Sequence, residues 1–147
     1  MLAQLFPGFI ISFVNFGIHA LMTGIIIVAT RRTASATHHL DVLWRVTALL
    51  FVTTMVLMCA HVFEITVWAA YYQVGGIQVV NTDLFEFAFE NFTALGYGDP
   101  IVVEDQKLIG PLTALNGLLL IGWSVAIIFE VMRMVEIQVG KHNPPSR

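Results

Sequence analysis

Apolar residues fill three long stretches of this chain with almost no polar interruption. A helix crossing a bilayer needs about 20 such residues at roughly 1.5 Å rise each. The first stretch, Leu5 to Thr30, has only Asn15 and His19 as strongly polar residues. The second, Val46 to Tyr71, is interrupted by His61 and Glu64, and the third, Leu108 to Met132, carries Glu130 as its only charge. The first run is too long for the core of a signal peptide, and no positive charge precedes it, so it reads as a span. A shorter element lies between the second and third spans. Asn81 and Thr82 are capping residues, and Asp83 with Glu86 suits a helix start, so Leu84 to Thr93 reads as a helix rich in Phe. It is too short to span. A short helix followed by glycines between two spans predicts a re-entrant loop, because irregular backbone at membrane depth survives only inside protein or against water. The pattern predicts an all-α membrane protein with three transmembrane helices and a re-entrant helix.

Composition agrees: 57% of the 147 residues are hydrophobic and only 12% are charged, about half the share of a soluble domain. The single cysteine, Cys59, excludes a disulfide scaffold. A net charge of −3 without a basic patch excludes a nucleic-acid binder. The basic residues set the expected orientation. Three spans put Arg31, Arg32, Arg45, Arg133, Lys141 and Arg147 on one side and only Lys107 on the other. The N-terminus is expected outside and the C-terminus in the cytoplasm, with the chain in the cell (inner) membrane. None of the spans carries the periodic arginines of a voltage sensor.

The short helix runs into Thr93-Ala94-Leu95-Gly96-Tyr97-Gly98-Asp99-Pro100. This segment resembles the selectivity filter of potassium channels, whose usual form is Thr-Val-Gly-Tyr-Gly-Asp. The resemblance covers residues 46–138, as outer helix 46–71, pore helix 82–93, filter 94–99 and inner helix 107–138. Residues 1–32 then form an extra N-terminal helix, 33–45 a cytoplasmic linker and 139–147 a cytoplasmic tail. The resemblance implies a homotetramer in the lipid bilayer that conducts K+ passively. Backbone carbonyls of Ala94, Leu95, Gly96 and Tyr97 would hold the ion, with no cofactor, no catalysis and no nucleic-acid partner. The physics fits the residue types. Carbonyls replace water around a cation without adding net charge. Aiming successive carbonyls at one axis needs alternating backbone hand, and glycine reaches positive φ at no steric cost. Gly96 and Gly98 stand at alternate positions.

The sequence departs from the family pattern in three ways. Ala94 stands where the usual Thr hydroxyl lines the innermost ion site, and Leu95 replaces Val. A weakly selective cation channel is therefore one alternative, and a non-conducting accessory membrane subunit is another of a different class. Thr93 aligns with the preceding residue and faces away from the axis. Glu86 and Phe87 occupy positions where many members carry aromatic donors, and Phe cannot donate. Glu90 lies nine positions before Asp99. At this spacing the family pairs two carboxyls behind the filter, where they share a proton; otherwise both are solvated at the mouth.

Polar residues inside spans are functional candidates. His61 and Glu64 share a helix face and lie level with Asn15. They form either a hydrogen-bonded brace or a pH sensor. His19 reads as a satisfied packing residue. Glu130 and Arg133 form a local salt bridge or contribute to a charged ring. In the third span, Gly117 and Gly122 are candidate hinges or close-packing positions, and Phe129 is a candidate constriction. Asp83, Glu86, Glu90, Asp99, Glu104 and Asp105 face Lys107 alone, which gives the outer segment a cation-concentrating charge.

Overall fold

The computed structural model describes residues 2–79, 82–95 and 106–142, with side chains over 5–79, 82–95 and 106–135. The filter residues Gly96, Tyr97, Gly98 and Asp99 lie outside the described residues. Four helices follow in chain order: α1 (Leu2–Ala36), α2 (Val42–Val74), α3 (Leu84–Phe92) and α4 (Ile109–His142). Among the described residues there is no strand. Three helices are long and apolar enough to cross a membrane, and α3 is not.

The helices run past the apolar stretches. Charges such as Arg31, Arg32 and Arg45 do not stop a helix, so only residues 37–41 separate α1 from α2. Hydroxyls inside the spans turn back on their own helices. Ser12, Thr23, Thr30, Thr53 and Thr66 each donate to the carbonyl four residues earlier, at 2.8–2.9 Å. This removes the cost of a bare hydroxyl in an apolar surrounding. Large apolar side chains such as Phe13, Leu21, Phe51 and Phe63 stay exposed on the outer faces, as expected where lipid or another chain replaces water.

The re-entrant helix α3 packs on α2 and α4, and α1 packs on α2 and α4. The core forms around α3. Trp68 and Tyr72 of α2, Phe87, Ala88 and Phe92 of α3, and Ile109, Leu112 and Leu120 of α4 are buried together. Leu5, Ile11 and Phe16 of α1 cover the cluster. A smaller cluster of Leu49, Val131 and Val135 joins α2 to α4 at the far end. The cap of α3 is Asp83, whose carboxylate accepts from the Glu86 backbone N–H at 2.8 Å, so the helix begins at Leu84, where its acidic start places it. Thr82 instead donates its hydroxyl to the Glu86 carboxylate, which braces the first turn.

Two helices end in the same way. At the end of α2, Gly76 has φ +64°, its N–H bonds the Gln73 carbonyl and the Ile77 N–H bonds the Tyr72 carbonyl. At the end of α3, Ala94 has φ +54°, its N–H bonds the Asn91 carbonyl and the Leu95 N–H bonds the Glu90 carbonyl. Both are left-handed caps with the paired bonds of a Schellman motif, but only the first uses glycine.

Candidate functional site

The end of α3 leads toward the Gly96-Tyr97-Gly98-Asp99 motif. Thr93 turns its hydroxyl back to the Phe89 carbonyl at 2.9 Å and the Glu90 carbonyl at 3.3 Å. Ala94 follows in the left-handed region, which costs a residue with a Cβ about 1–2 kcal/mol. Leu95 is exposed. The expected contact between Glu90 and Asp99 involves a position outside the described residues, and Glu90 itself is half-buried.

The inner face of α3 is held by close approach to α4. Asn91 donates to the Phe87 carbonyl at 2.7 Å, and a Cβ built on Gly110 would come within 2.7 Å of the Asn91 amide oxygen. A Cβ on Gly117 would overlap the Phe92 carbonyl. Here glycine lets a helix lie against the backbone end of α3. Gly122 has open space around it, and the helix runs through both glycines.

Behind α3, buried polar side chains link the three long helices. The Trp68 ring N–H can only donate, so the Asn116 amide must turn its oxygen toward it, at 2.9 Å. That oxygen also accepts from Asn15 Nδ2 at 3.1 Å, and Asn15 Nδ2 donates again to the Glu64 backbone carbonyl at 3.2 Å. The Tyr72 hydroxyl pairs with the Thr113 hydroxyl, which also bonds the Ile109 carbonyl.

The Glu64 side chain, fully buried, reaches two histidines. Oε1 lies 2.8 Å from His19 Nδ1 and Oε2 lies 2.9 Å from His61 Nδ1. A carboxylate only accepts, so both imidazoles carry hydrogen on Nδ1. His61 Nε2 is 2.9 Å from the Ser124 hydroxyl of α4, and the buried Nε2 of His19 has no hydrogen-bond partner among the described residues. The His19 ring lies tilted 5.2 Å from that of Trp123, and the His61 ring tilted 5.7 Å from that of Phe92, the last residue of α3. Asn15, His61 and Glu64 are thus brought together, with His19 as the member that sequence reasoning treated separately. Its signal was present in part: His19 is one turn from Asn15 on the same helix face.

One comparison bears on what this arrangement serves. The family model for ion channels, a two-transmembrane family that includes potassium-channel pore domains, matches residues 46–134, more than half of the chain. This chain belongs to that ion-channel family. No curated protein and no solved structure matches it significantly. In the channel the matched segment begins within α2 and ends within α4, so α3 and the Gly96-Tyr97-Gly98-Asp99 motif lie between the two matched spans, and α1 lies outside the match. Toward the far end of α4, Phe129 is exposed, and Glu130 and Arg133 form a two-point ion pair at 2.8 and 2.9 Å on the surface.

Proposed function

We propose that four copies of this channel subunit assemble around one axis and conduct K+ passively and selectively. The observation that carries the reading is Gly96-Tyr97-Gly98-Asp99 directly after a capped nine-residue helix held between two spans. One chain offers one carbonyl at each level of a filter, so a complete coordination shell needs several copies. The left-handed Ala94 is in phase with Gly96 and Gly98, at the alternate positions where an axis-lining strand needs that hand. The C-terminal end of α3 carries partial negative charge, which favours a cation beyond it. α4 is the pore-lining helix of this reading, with Phe129 facing the conduction path, and the chain sits in the inner membrane with its N-terminus outside.

A second reading rests on Ala94. Without the hydroxyl, the innermost ion site keeps only carbonyl ligands, and discrimination against Na+ weakens. Reversal potentials in proteoliposomes with K+ on one side and Na+ on the other decide between the two. A potential close to the K+ limit is expected; equal permeability would establish the weakly selective channel instead.

A further inference from the structure

We propose that His19, His61 and Glu64 form a binding site for one divalent transition-metal ion of the zinc class, which clamps α1 to the pore module. Each residue offers one ligand atom, and these atoms all lie within 4.8 Å of one another. Zinc bound at 2.0–2.2 Å needs tetrahedral ligands about 3.3 Å apart. Oε1 sits 2.8 Å from His19 Nδ1 and Oε2 sits 2.9 Å from His61 Nδ1, so an ion held by both Nδ1 atoms and the carboxylate draws the wider pairs, up to 4.8 Å apart, inward by at most about 1.5 Å, with each imidazole hydrogen on Nε2.

The surroundings suit a metal site in three respects. Two imidazoles and one carboxylate are the donor set of three-ligand zinc centres, with a fourth position open. Imidazole nitrogen also selects a transition metal over the hard monovalent cations that a carbonyl-lined filter takes. The outer partner of one ligand is in place: with metal on Nδ1, His61 Nε2 carries the hydrogen and donates to Ser124 Oγ at 2.9 Å. The His61 side chain is 17% exposed while those of His19 and Glu64 are fully buried, so His61 is the ligand nearest the surface of the chain. His19 belongs to α1 and the other two ligands to α2, so the ion would tie the extra helix to the pore module beside Phe92.

The test uses the full-length protein in lipid nanodiscs, stripped with chelator and titrated with Zn2+ by calorimetry. One ion per chain is expected, with saturable binding abolished in His19→Gln and weakened about tenfold in Ser124→Ala. Co2+ added to the unmutated protein supplies a readout that does not depend on any variant folding. Absorption bands of a four-coordinate cobalt centre, with an X-ray absorption shell of nitrogen and oxygen that includes two imidazoles, are expected. No binding at millimolar Zn2+ would overturn the proposal. So would an oxygen-only shell, or binding that survives His19→Gln but is lost when the adjacent surface pair His38 and His39 is replaced by alanine.

Discussion

The carbonyl of Phe92, at the end of the re-entrant helix, rests against the bare face of Gly117 so closely that no side chain fits between them. The contact fixes the last turn of α3 on α4, four residues before Gly96. Gly117→Ala must displace one backbone from another, which costs about 1–3 kcal/mol or more in a packed core. A lowered midpoint of thermal unfolding in detergent is expected, together with lost ion flux. Gly122→Ala, in open space, is expected to leave the midpoint unchanged. If Gly122 is the hinge of the inner helix, the same change alters flux at constant stability. If Gly117→Ala matched the parent in both measurements, the close approach would carry no weight.

Ala94 gives a prediction of opposite sign. Its positive φ is the conformation glycine adopts freely, so Ala94→Gly is expected to stabilise the end of α3 by about 1 kcal/mol. The corresponding change at the twin cap, Gly76→Ala, is expected to destabilise by a similar amount. Thermal midpoints of the two variants should move in opposite directions.

Asn116 receives hydrogen bonds from both Trp68 and Asn15. Asn116→Leu leaves the buried Trp68 ring N–H without its acceptor, at about 1–3 kcal/mol, and leaves Asn15 only the Glu64 carbonyl. Asn116→Asp keeps the accepting oxygen and is expected to retain more of the stability. Chemical unfolding with Trp fluorescence reports both, because Trp68 sits at the site of the change.

The carboxyl of Glu64 separates a brace from a passive packing position. In the presence of chelator, Glu64→Leu strands the N–H groups of the buried His19 and the partly buried His61, whereas Glu64→Gln keeps one accepting oxygen between α1 and α2. A difference of about 2 kcal/mol between the two variants is expected in thermal stability. Equal stability would mean that the histidines find other partners.

The three spans were legible because a run of about 20 apolar residues has few other uses. The short helix was legible from its acidic start and its length. Its first residue, Leu84, was legible too, but Asn81, Thr82 and Asp83 are all capable caps and only the geometry selects Asp83. The hydrogen-bonded set was half legible. His61 and Glu64 lie three apart on one helix, so local spacing pairs them. His19 and Asn116 reach the same region from helices far away in sequence, and their depth depends on how each helix slides against its neighbours. A linear pattern carries no such register. The same holds for Gly117: sequence offers hinge and packing as equal uses of glycine, and only the position of the Phe92 carbonyl distinguishes them.

The chain of contacts from Asn15 and His19 to Glu64, and from Asn15 to Asn116, also sets an order of events during synthesis. α1 enters the membrane before its partners exist, carrying an amide and an imidazole into surroundings where neither finds a hydrogen bond to another helix. Glu64 arrives with α2, and Asn116 only with α4, the last helix in the sequence. Until then the amide of Asn15 lacks its sequence-distant acceptor on α4. The first and last helices of the described chain are therefore joined by a bond that can form only once both are in place.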